Sequence, residues 1–202
     1  MLIRNEKKYL VSKKNTINFL NNFNFYSAHP NRKINSIYLD TYNFDDFIDG
    51  EEGTVPRKKV RIRWYGDLEI KKDLNQNYQL EIKKTEANER SKQVIKYFGK
   101  IENILNVAKK YYKQQRKPLL IVSYSRQYYE DSKNNRITVD TDLSYAKLDD
   151  NLNFTNKFYS NDNIIELKND LLNFSEIEYG YLENFRVRYS KYCAAVNKLF
   201  YL

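Results

Sequence analysis

The sequence predicts an α+β fold of antiparallel strands, each with one apolar and one charged face, flanked by helices. Two observations predict it. Six or seven segments alternate apolar residues with Lys or Arg at every second position, the period of a strand. A few others carry apolar residues at helical spacing.

The first segment, LIRNEKKYLV, sets Arg4, Glu6 and Lys8 on one face and Ile3, Tyr9 and Val11 on the other. Helical spacing follows over Thr16 to Phe25. INSIYLDT then reads as a strand, and FDDFIDGEEG as a turn or short helix. KKVRIRWYG alternates Val60, Ile62 and Trp64 against Lys59, Arg61, Arg63 and Tyr65, and YQLEIKKT alternates Leu80 and Ile82 against Glu81 and Lys83. DLEIKKD between them fits a short strand or a hairpin arm. Residues 91–115 read as the longest helical segment, with Gly99 placed to divide it. LLIVSYSRQYYE and NNRITVDT form a hairpin around DSKNN, Arg126 before the turn and Arg136 after it. NIIELKND sets Glu166 and Lys168 against Ile165 and Leu167, and ENFRVRYS sets Arg186 and Arg188 against Phe185 and Val187. SKYCAAVNKLFYL is a helix capped by Ser190.

The 202 residues suffice for one domain, 1–202, without a visible linker or repeat. No run of about 18 apolar residues and no leader-like start occurs, so the expected location is cytoplasmic. One cysteine excludes an intrachain disulfide, and a single histidine beside it excludes a zinc-type cluster. Any metal must sit on carboxylates, which favours Mg2+ or Mn2+. Five glycines build no phosphate loop of either nucleotide-binding type, so phosphate would be held by side chains. The net charge of +9 predicts attraction to polyanions, and no nucleic-acid motif accompanies it.

Any one of these strands could be the half-wetted strand of an ordinary sheet. As a set they put cations at alternate positions with few neutral polar residues, and arginine suits phosphate oxygens because its donors are planar and fixed. Inside a barrel this face becomes a basic tunnel with a few carboxylates. Two explanations of those carboxylates remain open: they hold a divalent cation that bridges phosphates, or they form ion pairs with no ligand. Tyr38, Asp40 and Asp140 read as hairpin or packing residues, and Cys193 as a small packing residue.

RNEKKYLV, KVRIRWYG, LEIKK, VSYSRQYYE followed by RITVDTDL, IIELK and RYSKYCAAV, in this order, resemble the VTC domain, the polyphosphate polymerase domain of the triphosphate tunnel metalloenzyme (CYTH-like) superfamily. The resemblance implies an eight-stranded antiparallel β-barrel tunnel that binds ATP and threads polyphosphate with a divalent cation, typically manganese. On that basis Arg61, Arg63, Lys83, Arg126 and Arg136 are the expected catalytic cations. Lys8 and Lys191 are further phosphate-binding positions, with Arg188 where some members have lysine, and Arg4, Lys168 and Arg186 join them from the alternation of their own strands. Glu166 is the expected metal ligand, with Glu6 and Glu81 beside it. Arg90 and Lys92 match the family's next basic cluster only loosely.

The implied reaction is transfer of the ATP γ-phosphate to phosphate, pyrophosphate or a growing polyphosphate, with a membrane-protein partner in trans as a possible associate. Two alternatives use the same groups: a metal-dependent triphosphatase and a non-catalytic polyanion-binding module. Arg4 stands where the superfamily's hydrolases carry a first glutamate, which tilts the expectation toward polymerisation.

Overall fold

The computed structural model describes residues 4–22, 25–87, 89–111, 115–131, 136–170 and 180–201. The turn at 132–135 therefore lies outside the described residues, and so do the side chain of Arg4 and the start of ENFRVRYS's approach, 171–179. Nine strands and four helices follow in the order β1 (Arg4–Ser12), α1 (Lys13–Asn22), β2 (Tyr26–Asp40), α2 (Asp45–Glu52), β3 (Arg57–Tyr65), β4 (Gln76–Glu86) and β5 (Glu89–Gly99). Then come α3 (Ile101–Lys109), β6 (Lys117–Glu130), β7 (Arg136–Leu148), β8 (Phe154–Tyr159), β9 (Asp162–Asp170), a 3-10 turn (Gly180–Phe185) and α4 (Lys191–Phe200).

The α+β antiparallel prediction holds. Hydrogen bonding orders the strands β1-β9-β7-β6-β2-β3-β4-β5, with β8 beside β7. The strand number and the closure differ from expectation: among the described residues there are nine strands, not eight, and β1 does not pair with β5. The reason lies in the two end strands. The outer edge of β1 is taken by a short bridge from Tyr9 to Arg186, where the Val187 amide donates to the Lys8 carbonyl. β5 carries Glu89, Arg90, Lys92 and Lys96, charges that discourage further pairing of an edge.

Two compact units share these strands along the chain: residues 1–33, 124–143 and 159–189, and residues 34–123, 144–158 and 190–202. In the first, β1, β7 and β9 turn Tyr9, Val11, Ile137, Val139, Ile165 and Leu167 to one side, where Phe19 of α1 and Leu182 close over them. In the second, Ile37, Leu39, Val60, Ile62, Trp64, Tyr78, Leu80 and Ile82 pack against Ile101, Ile104 and Ala108 of α3. In both units the opposite faces of the same strands carry the charges, as period 2 requires.

Three elements differ from the sequence reading. The segment read as one helix over 91–115 is β5 followed by the shorter α3. VIKYF satisfies a period of 2 as well as one of 3.6, and eleven register pairs with β4 decide for the strand. Gly99, at φ 157°, ends that strand at the predicted division. ENFRVRYS forms the 3-10 turn and the isolated bridge rather than a strand. β8, FTNKFY, was not expected from the sequence.

Asp40 does what a packing residue should. Fully buried, it accepts from the backbone amides of Thr41 (2.7 Å), Asp46 (3.0 Å) and Phe47 (3.0 Å), and from the Tyr192 hydroxyl. It thereby satisfies orphan donors of α2 and ties that helix to α4. Ser190 caps α4 as predicted, its Oγ accepting from the Cys193 amide at 3.3 Å. Among the described residues no helix is long and apolar enough to cross a membrane. Asp40→Ala leaves these donors buried and unpaired, and it should cost at least about 3 kcal/mol in urea unfolding followed by the buried Trp64. Tyr192→Phe should cost about 1 kcal/mol in the same measurement.

Candidate phosphate-binding faces

In the second unit the register places the charged side chains in rows. Tyr38, Arg61 and Glu81 are cross-strand neighbours on β2, β3 and β4; Ser36, Arg63 and Gln79 form the next row, and Lys59, Lys83 and Lys92 the one on the other side. Glu81 is the hub. Only 1% exposed, its Oε2 accepts from Arg61 Nε at 2.6 Å and also meets Arg61 Nη2, while its Oε1 accepts from Lys92 Nζ at 2.6 Å. Arg63 Nη1 lies 3.6 Å from Oε1, and Arg63 Nε donates to Ser36 Oγ at 3.2 Å. Burial alone would raise the Glu81 carboxyl, but Arg61 and Arg63, with Lys92 behind them, more than reverse this and bring it down to about 2.

Tyr38 is engaged in the same row. Its hydroxyl accepts from Arg61 Nη1 at 3.0 Å, and its ring stacks on Tyr192 at 5.0 Å. Burial opposes ionisation of that hydroxyl, yet Arg61, Arg63 and Lys191 outweigh it and lower its pKa. Lys59 Nζ donates to Ser190 Oγ at 2.8 Å and lies 3.7 Å from Cys193 Sγ. The expected cations Arg61, Arg63, Lys83 and Lys191 thus belong to this unit, joined by Lys59 and Lys92. Lys83 is exposed, in the row of Lys59 and Lys92.

The first unit repeats the device. Lys8, Glu166 and Thr138 form one row across β1, β9 and β7; Glu6, Lys168 and Arg136 form the next. Arg126 grips Asp140 with two hydrogen bonds, Nε to Oδ1 at 2.6 Å and Nη2 to Oδ2 at 2.8 Å. Asp140, fully buried, is therefore a charge partner and not a hairpin residue. Glu166, 6% exposed, meets Lys168 Nζ at 2.7 Å, and Arg126 Nη2 at 4.0 Å. Burial raises the Glu166 carboxyl, but Lys168, Lys8 and Arg126 hold it well below the usual carboxylate range. Lys8 Nζ lies 3.0 Å from Glu6 and donates to the Tyr189 carbonyl at 3.2 Å. Arg136 is two-thirds exposed, with Glu130 at 3.7 Å.

Arg186 is turned elsewhere. Its guanidinium lies 3.4 Å from Glu183, whose other oxygen accepts from Lys7 Nζ and the Tyr9 hydroxyl, each at 3.0 Å. Lys7 and Tyr9 occupy the face of β1 opposite Lys8, so Arg186, bridged to Tyr9 after the 3-10 turn, stands apart from the Lys8 row. Arg188 is exposed and Arg4 lies opposite Asp170 in the backbone register.

Among the described residues no group of three or more His, Cys, Asp or Glu is arranged to hold a metal. Carboxylate donors for a hard cation would be Glu166 and Glu6 on neighbouring strands. Glu81, each of whose two oxygens already accepts a 2.6 Å hydrogen bond, from Arg61 and from Lys92, fits that role poorly. The Thr138 hydroxyl, buried in the Glu166 row, has no hydrogen-bond partner, so the row has a polar valence to fill.

The model of the VTC domain family matches residues 3–200. No protein of curated function matches the sequence. Among solved structures, one from Pyrococcus horikoshii OT3 is 15% identical over 96% of this chain and 99% of its own, with a TM-score of 0.56. A candidate adenylate cyclase of Vibrio parahaemolyticus is 13% identical over 93% and 94%, with a TM-score of 0.51. A Hippeastrum protein described with a dominant triphosphatase activity is 11% identical over 94% and 93%, at a TM-score of 0.49. The first two share this chain's fold, and with a family match from residue 3 to residue 200 the chain belongs to the VTC domain family.

Proposed function

We propose that the chain is a polyphosphate polymerase domain that transfers the γ-phosphoryl group of ATP to phosphate or to the end of a growing polyphosphate. The observation that carries this reading is the cation excess around Glu81: three cationic side chains, Arg61, Arg63 and Lys92, fixed by one buried carboxylate. A set of planar donors held in place before the ligand arrives is what phosphoryl transfer asks of a protein, since the reaction needs positioning and charge neutralisation more than a nucleophile. The acceptor is itself an anion, so no general base is needed.

Each residue then has a task. Arg61 and Arg63 bind phosphate oxygens and take up the charge that develops on the transferred group. Glu81 fixes their planes, and Tyr38 backs Arg61 from the other side. Taken by itself, the first unit offers a phosphate face of its own, with Lys8 and with Arg126 fixed by Asp140. The divalent cation implied by the family would be held by Glu166 and Glu6. When bound it neutralises phosphate charge. Manganese or magnesium meets that description.

Purified protein incubated with ATP and Mn2+ should form an acid-labile polymer that a polyphosphatase degrades. Equal release of ADP and orthophosphate without polymer would make it a triphosphatase, and metal-independent binding without turnover a passive module. Arg61→Ala and Arg63→Ala should each lower kcat/KM by about 30-fold or more, equivalent to about 2 kcal/mol. Thr138→Val should weaken tripolyphosphate binding while leaving the thermal midpoint equal or higher, because it removes a hydroxyl that the ligand-free protein leaves unpaired.

Glu81 also predicts a pH dependence. Its folded pKa lies below the unfolded value of 4.5, so its stabilisation is fully present above about pH 4.5 and is lost as the pH falls through about 2. Glu81→Gln should be less stable than the parent at pH 7 by about 3 kcal/mol. Denaturant titrations should find this gap closing between pH 4.5 and pH 2.

A further inference from the structure

The polar face of the second unit changes character beyond Arg63. Along β3, β4 and β5 the row Arg63, Gln79 and Lys96 is followed by Tyr65, Asn77 and Phe98, since Gln79 pairs with both Arg63 and Lys96 and Asn77 with Phe98. These five residues after Arg63, with Tyr78 and Tyr97 beneath, line a cleft of about 350 Å³. Phe98 is 65% exposed and Tyr65 is 41% exposed. Ile95 and Tyr97 of the same strand turn to the core, so alternation sets the Phe98 ring on the cationic side.

Two aromatic rings and two carboxamides at the end of a row of arginines match one kind of ligand group. An exposed ring offers a face on which a base stacks with any sequence, and a carboxamide presents one donor and one acceptor in the spacing of adenine N6 and N7. Tyr65 lies two residues from Arg63 and four from Arg61, about 7 and 13 Å along the strand, room for a sugar between a base and its phosphates. A purely anionic ligand would have no use for this end of the face. A nucleotide would.

We infer that the cleft of Tyr65, Asn77, Gln79, Lys96 and Phe98 is the subsite for the adenine base of a nucleoside triphosphate whose phosphates lie on Arg61 and Arg63. The inference rests on the phosphate-binding reading above and adds to it the part of the substrate that the cations do not touch. Phe98 and Tyr65 stack the base, and the Asn77 and Gln79 amides read its edge.

Isothermal titration of the full chain with ATP and with inorganic tripolyphosphate separates the two levels. Phe98→Ala, an exposed position, should weaken ATP binding at least about 5-fold and leave tripolyphosphate binding unchanged. Arg63→Ala should weaken both. Unchanged ATP affinity in Phe98→Ala, or equal weakening of both ligands, would overturn the subsite, as would a parent protein that binds tripolyphosphate but not ATP. A parent that binds neither ligand overturns the phosphate reading itself, and the subsite with it, before any variant is made.

Discussion

Like charges do not gather on a sheet face unless something between them cancels the repulsion. Two cations at 4 Å repel by about 4 kcal/mol at the effective dielectric of a protein surface, more than most single contacts contribute. Here the cancelling groups are three buried carboxylates, Glu81, Asp140 and Glu166, each sunk among the cations it serves. Every charged row depends on them. They cost desolvation, and they return it by fixing the guanidinium planes of Arg61 and Arg126 in two-point contacts. Around Glu81 net positive charge remains after pairing, and that residue of charge is what an anion meets.

The arrangement works only because the strands are strict about sides. Val60, Ile62 and Trp64 are buried against α3 while Arg61 and Arg63, one residue away from them, hold Glu81. A slip of one residue in register would send every arginine into the hydrocarbon core and every core residue into the cationic row. The apolar clusters therefore guard the charged faces: their burial makes the correct register the one of lowest free energy.

Much of this was legible in the chain. Alternation alone identified Arg61, Arg63, Glu81, Lys8 and Glu166 as one-sided, because strand geometry is local and a period of 2 needs no knowledge of neighbours. What depended on neighbours was missed. Asp140 and Tyr38 looked like packing residues because nothing in their own segments says that Arg126 and Arg61 stand across from them. Lys92 lay on a strand misread as helix, VIKYF being compatible with both periods until β4 is placed beside it. The strand read over ENFRVRYS failed for the opposite reason: its alternation was apparent, but a 3-10 turn occupies its start.

The backing of Arg61 has a consequence for the making of the protein. Tyr38 holds Arg61, Tyr192 of α4 stacks on Tyr38, and Asp40 binds Tyr192 while capping α2. α4 is the last of the described elements to be synthesised. A nascent chain that has already paired β2, β3 and β4 would thus present its arginines without the support behind them. The geometry of Arg61 is therefore completed last, by a helix far from it in the chain.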